Sequence, residues 1–202
     1  MWAFLSDIHG NATALARALQ AARDRGATRL AYLGDLLGPG DPDRCVALVR
    51  ETAELSLVGN RDLDWADRVS EAARAYVRSL PRRAAADGFV AVHGDLTLTP
   101  GIGSGDLRTG FRRTHQVLLA GGHHLLFFGH THHARVWLKD GPANSPVLLS
   151  GDVIRLDPAP DRVHIINVGT IGRPFPGKGP ASFTLYDPAE RVVTMVPVPR
   201  PT

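Results

Sequence analysis

A single cysteine, Cys45, in 202 residues rules out a disulfide within the chain and suits a reducing compartment such as the cytoplasm. Cys45 lies in the helically spaced run "DPDRCVALVR" and reads as core packing, not as a nucleophile. No stretch reaches about 18 consecutive apolar residues, so no membrane span is expected. The opening "MWAFLSDIHGN" has no positive segment ahead of an apolar one, so no secretory leader is expected. No Pro/Gly/Ser tract is long enough to link domains, and residues 1–202 read as one domain. Aromatic residues make up only 6% of the chain, and no Lys/Arg block is interleaved with them. A nucleic-acid surface is therefore not indicated. What is present is a 44% hydrophobic fraction, enough for a sizeable core, and a formal net charge of +3. That modest excess suits a small anionic ligand such as a phosphate.

The first half alternates strand and helix. "WAFL" (2–5), "RLAYLG" (29–34) and "LSLVG" (55–59) are short apolar runs with strand character. Between them, Asn11 caps a helix running to about Arg25, with Gly26 as its stop. Asp41-Pro42 opens a second helix through about Thr52, and Ser70 caps a third that Pro81 ends. This order predicts parallel strands in a layered α/β fold. Residues 88–94 and 124–130 read as strands around a helical stretch near Thr114–Leu119. Strand-like runs then follow one another between Gly, Pro and Asp turns, giving a β-rich second half in the same core.

Five polar loops each begin just after an apolar run: "SDIHGN" (6–11), "GDLLGPG" (34–40), "GNRD" (59–62), "VHGD" (92–95) and "GHTHH" (129–133). In α/β sheets the C-terminal ends of parallel strands are where sites assemble. The side chains offered are Asp7, His9, Asp35, Asn60, His93, His130 and His132. Carboxylates, imidazoles and one amide, with no thiolate, suit Mn, Fe, Zn, Co or Ni better than Ca. Seven ligands exceed the needs of one tetrahedral ion. They fit two ions sharing a carboxylate, and a pair about 3.5–4 Å apart can activate a water and clamp phosphoryl oxygens.

In this order the blocks resemble the calcineurin-like metallophosphoesterase superfamily, whose pattern runs D-x-H, G-D, G-N-H-[DE], H and G-H-x-H. "NVGTIGRPF" (167–175) further resembles the "N-x-G-S-x-G-x-P" tail of small prokaryotic members, so the likeness covers nearly the whole chain. It implies a four-layer αββα sandwich, two packed β-sheets flanked by helices, an α/β (α+β) class. It implies that Asp7, His9 and His132 hold one divalent ion, that Asn60, His93 and His130 hold a second, and that Asp35 bridges them. Mn²⁺ is the first choice, with Fe, Zn, Ni or Co as alternatives. The activity implied is hydrolysis of a phosphodiester or a nucleotide-like phosphoanhydride.

Two positions depart from the pattern. "GDLLGPG" lacks the D-R of phosphoprotein phosphatases and is similar to the G-D-x-x-G-x-G-P variant of small bacterial members. Arg61 stands where the family has a histidine that stabilises the phosphate and protonates the leaving oxygen. Arginine keeps its proton near neutral pH, so only the electrostatic half of that role survives. Arg61 reads either as a phosphate clamp or as a surface partner for Asp62 or Asp64. His133 or Asp95 could supply a proton, and His133 could touch substrate. Arg173 reads as a loop residue within reach of an anion, His123 and His124 as surface turn residues, and His164 as a strand residue. Thr131 either orients its neighbouring histidines or packs. Loops 61–68, 95–113 and 140–146 are where substrate selection is expected. The alternative function is a catalytically weak or inactive scaffold of the same fold that binds a protein partner. Homo-oligomer formation is open to either.

Overall fold

The protein is described from a computed structural model covering residues 1–94, 107–141 and 143–200. Among the described residues, twelve strands and five α-helices follow one another. The first half runs β1 (Trp2–Leu5), α1 (Ala12–Asp24), β2 (Arg29–Tyr32), α2 (Pro42–Thr52), β3 (Leu55–Ser56), α3 (Asn60–Trp65) and α4 (Glu71–Ser79). A 3₁₀ turn, Ala66–Arg68, separates α3 from α4. Then come β4 (Arg83–Ala86), β5 (Phe89–Val92), α5 (Leu107–Ala120), β6 (Leu125–Phe128) and β7 (Arg135–Asp140). The chain closes with β8 (Val147–Leu149), β9 (Val153–Arg155), β10 (Arg162–Asn167), β11 (Ser182–Asp187) and β12 (Val192–Pro197).

The helix starts follow their caps. The side chains of Asn11, Asp41 and Ser70 accept from the backbone N–H groups of Ala14, Arg44 and Ala73. Each satisfies an N–H that the helix itself leaves free. Cys45 is fully buried in α2, and burial pushes its thiol up to about 12, so it packs and does not react.

Two six-stranded sheets form, ordered β3-β2-β1-β11-β12-β9 and β4-β5-β6-β10-β7-β8. In the first, β1, β2 and β3 are parallel, as the strand-helix alternation requires. In the second, β5, β6 and β10 are parallel. The four layers can be read from strand alternation. Trp2, Phe4, Ala31, Leu33, Phe89, Ala91, Leu125 and Phe127 fill the space between the sheets. Their neighbours Ala3, Leu5, Leu30 and Tyr32 face α1, α2 and α4 on one outside. Val90, Val92, Leu126 and Phe128 meet Phe111 and Leu118 of α5 on the other. Phe4 and Phe127 stack across the interior at 3.9 Å, and Phe89 meets both rings edge-on. Such pairs add about 0.5–1.5 kcal/mol beyond their buried area.

Several expectations need correction. The third strand is paired only at Leu55–Ser56, and residues 60–68, expected as a loop, are α3 and the 3₁₀ turn. Gly59 permits the helix to start there, and a buried acid in its first turn holds it, as described below. The helix near Thr114–Leu119 extends over Leu107–Ala120. The short strands β4 and β9 were not anticipated. His123 and His124 are half-buried instead of free at the surface, with His124 Nδ1 bonded to the Arg162 carbonyl at 3.2 Å. Asp95 and most of the loop 95–113 lie outside the described residues, as does Pro142. No described helix is long and apolar enough to cross a membrane.

Candidate metal centre

The C-terminal ends of β1, β2, β3, β5 and β6 all open onto one edge, where the two sheets meet. Gly129 N–H donates to the His93 carbonyl at 2.7 Å, and His130 N–H donates to Asp7 Oδ2 at 2.8 Å, so the loops of both sheets are bonded together. The approach is close enough to demand glycine at two points. A Cβ on Gly59 would lie 2.1 Å from Asp35 Oδ1, and one on Gly172 would lie 1.7 Å from the Ile8 carbonyl oxygen.

The backbone here is strained in a consistent way. Asp7, His9, Asp35, His130 and His132 all have φ between 50° and 66°, the left-handed region that non-glycine residues avoid. Such strain persists only where surrounding bonds hold it, and it gathers at functional sites. Here backbone and side-chain hydrogen bonds from neighbouring loops hold it. Ile8 and His9 N–H both donate to the Asp35 carbonyl, and Thr170 Oγ1 and Gly172 N–H donate to the Asp7 carbonyl. Asn167 spans the GHTHH loop, donating through Nδ2 to the Gly129 carbonyl at 2.6 Å and to Thr131 Oγ1 at 2.9 Å. Thr131 therefore serves as an anchor for the loop that carries the two histidines.

Two groups of metal-ligand type form: Asp7, His9 and His132, and Asp7, Asp35 and His93, each with its candidate ligand atoms within 4.8 Å of one another. His132 Nε2 lies 3.1 Å from both Asp7 Oδ1 and His9 Nε2. Asp7 is common to both groups, and Asp35 turns its two oxygens to different histidines: Oδ2 lies 3.8 Å from His9 Nε2, and Oδ1 lies 3.4 Å from His93 Nε2. Asn60 Oδ1 meets His93 Nε2 at 3.2 Å and His130 Nδ1 at 3.1 Å. All seven ligand candidates thus converge. His130 joins through Asn60 and is the least buried of the histidines.

These residues fit divalent cations. His93 Nδ1 donates to the Leu33 carbonyl at 2.6 Å, and His132 Nδ1 donates to the Arg173 carbonyl at 2.5 Å. Each bond uses the ring's Nδ1 proton and turns Nε2 toward the cluster, the usual tautomer of a metal-binding histidine. Asp7 Oδ1 is buried with no hydrogen-bond partner, an orphan that a cation would satisfy. Burial pushes His93 down, but the hydrogen bond and charge of Asp35, aided by Asp7, outweigh it and raise the ring to about 9. Burial tends to raise Asp7, and the neighbouring histidines overcome it, leaving the carboxyl lowered. Burial holds His9 and His130 below the ordinary value.

Sequence reasoning missed Asp62. Fully buried, it accepts from the N–H groups of Asp35 at 2.9 Å, Leu37 at 2.8 Å and Gly59 at 2.8 Å. It straps the β2 loop to the start of α3. Burial raises its carboxyl to about 6 against the pull of those amides. The available signal was its place in the first turn of a helix after Gly59-Asn60. Arg61 uses its backbone N–H to hold Asp35 Oδ1 at 2.8 Å, while its guanidinium turns to Asp64 at 3.4 Å. His133 Nε2 accepts from Arg135 at 3.0 Å, and burial lowers the ring's pKa.

Over residues 1–191 the sequence matches the calcineurin-like phosphoesterase superfamily domain. The chain belongs to that superfamily, a class of phosphoester hydrolases that carry divalent metal ions. Its fold is similar to that of a metallophosphoesterase from Sphaerobacter thermophilus, with TM-score 0.78 and 24% identity over 99% of this chain and 88% of that one. It is also similar to the phosphoesterase Yfce from E. coli, with TM-score 0.52 and 20% identity over 98% and 99%. In sequence it is 27% identical to an uncharacterized protein of Methanocaldococcus jannaschii, over 98% of this chain and 87% of that protein.

Proposed function

We propose that this chain is a two-metal phosphoesterase whose substrate is a phosphodiester or phosphoanhydride with a good leaving group. The observation that carries this reading is Asp35, whose two oxygens face His9 and His93 at 3.8 and 3.4 Å. Asp7, His9 and His132 would hold one divalent ion, and Asn60, His93 and His130 the other, with Asp35 shared. Mn²⁺ suits this oxygen-and-imidazole set, as do Fe, Zn, Ni and Co. Such ions, when bound, lower the pKa of a water and neutralise phosphoryl charge.

The chain's own residues do the rest. Asp62 fixes Asp35 through its amide, and Asn167 and Thr170 fix the histidine loop and Asp7. Arg61 keeps its proton and so offers charge and no acid. His133 offers no proton at Nε2, because that atom is the acceptor for Arg135. A general acid is typically worth about 10²–10⁴-fold, so substrates whose leaving group departs unprotonated lose least. We read residues 1–202 as one working domain, and its lone, buried cysteine fits the cytoplasm.

Hydrolysis of bis(p-nitrophenyl) phosphate tests the reading, because p-nitrophenolate leaves without a proton. Protein stripped with chelator should be inactive and should recover on addition of Mn²⁺. A folded protein silent with Mn²⁺, Ni²⁺, Fe²⁺ and Zn²⁺ alike would overturn the enzyme reading in favour of a scaffold.

A further inference from the structure

Beside His9 the surface opens into a cleft of about 960 Å³. Its walls are the first turn of α1, the loop 38–41, α3, and the turn at Gly172 and Arg173. Two cations line it. Among the described residues the Arg61 guanidinium is held by Asp64 alone, with both side chains at least half exposed, and an exposed pair of this kind is worth about 0.2–1 kcal/mol. It can be surrendered to a better anion. The guanidinium of Arg173 has no hydrogen bond or ion pair among the described residues. It lies 5.3 Å from the ring of Phe175, which is stacked on His132. The Arg173 backbone, by contrast, is fixed: its N–H donates to Thr170 Oγ1, and its carbonyl accepts from His132 Nδ1. An available charge therefore hangs from a rigid frame bonded to a candidate metal ligand. Asp41 also lines the cleft, but its carboxylate is engaged in capping α2. Trp65 forms an aromatic part of the wall.

We infer that this cleft holds a second phosphate, gripped by Arg61 and Arg173, so that the substrate is a phosphoanhydride whose leaving group is itself a phosphate. The inference rests on the phosphoesterase reading above and narrows its substrate class. The metal cluster needs only one phosphoryl group, and the two arginines supply charge beyond it. An alkoxide leaving group requires a proton that Arg61 cannot give. A departing phosphate has its second pKa near 6 and leaves as an anion, so it needs countercharge instead. Guanidinium meets phosphate in a two-pronged geometry. In the step, water forms the new P–O bond and its proton passes to solvent. The bridging P–O bond breaks with its electron pair staying on the departing phosphate oxygen. A nucleoside diphosphate is the smallest familiar ligand that would fill both positions and reach Trp65.

The test compares ADP with bis(p-nitrophenyl) phosphate on the full chain with Mn²⁺, using wild type, Arg173→Ala, Arg173→Lys and Arg61→Ala. The ratio of kcat/KM for ADP to that for bis(p-nitrophenyl) phosphate should fall about tenfold or more in each alanine variant, through KM, with partial recovery in Arg173→Lys. Calorimetry of inorganic pyrophosphate on chelator-treated protein gives a second readout. Wild type should bind it, and Arg173→Ala should lose binding by about tenfold. An unchanged ratio, equal loss on both substrates, or pyrophosphate binding untouched by the variants would overturn the second-phosphate site. Absence of metal-dependent turnover on bis(p-nitrophenyl) phosphate overturns the enzyme reading alone, because pyrophosphate binding is still measured without it.

Discussion

On the buried side of the site, Asp7, His9, Asp35, His93 and His132 are each at most 7% exposed, and four of these five sit on left-handed backbone. On the open side, Arg61 and Arg173 stand in solvent at the start of a helix and in a turn, neither with a positive φ. The buried groups turn toward one another, and the Nδ1 protons of His93 and His132 go to the Leu33 and Arg173 carbonyls, which leaves each Nε2 facing the cluster. The open groups are already solvated and need nothing until an anion arrives. The fold therefore holds the buried ligand candidates in fixed, strained positions and leaves the two arginines at the surface.

Breaking the buried side should have the largest effect. Asp35→Asn removes the shared carboxylate charge, and turnover of bis(p-nitrophenyl) phosphate should fall about 10³-fold with the circular dichroism spectrum unchanged. Next comes the strap between the two sides. Asp62→Ala strands three backbone N–H groups, each costing about 1–3 kcal/mol when unpaired. Urea denaturation should show a loss of at least about 3 kcal/mol, and Asp62→Asn should restore part of it. Little change in the urea midpoint would mean that the strap is not needed.

A third experiment separates ligand-type histidines from buried ones that merely pack. His164 is 1% exposed on β10, and burial, helped by Arg191, lowers it to about 4. Asp157 N–H donates to its Nε2, which suits the neutral ring. The unfolded state binds the proton first as pH falls from about 6.5, so stability should drop by about 2 kcal/mol between pH 7.5 and pH 5. In His164→Gln that pH-dependent part should vanish from the thermal melts, whether or not metal is present. The smallest effect sharpens the open side. Arg61→His returns an acid, and should raise turnover of an alkyl phosphodiester relative to bis(p-nitrophenyl) phosphate about tenfold. A ratio that stays put would show that proton supply does not limit the reaction.

The ligand blocks were legible because each joins a short apolar strand to a polar tip, and five such tips in order leave little freedom. The sheet layering was legible from alternation such as Trp2-Ala3-Phe4-Leu5. What escaped was held by bonds that no local pattern announces. Asp62 looks like any acid beside Arg61 until three amides from two loops are seen to converge on it. Gly172 is ordinary in sequence and becomes obligatory only against the Ile8 carbonyl. β4, with the sequence RAAA, has no apolar alternation and exists because β5 beside it offers an edge. Arg173 could be placed within reach of an anion, but not in one cleft with Arg61.

Whether two cations share Asp35 is tested most directly by titrating chelator-stripped protein with Mn²⁺ in a calorimeter. Two equivalents should bind per chain in the wild type, and one in His132→Ala. A single equivalent in the wild type, or none, would contradict the two-metal centre.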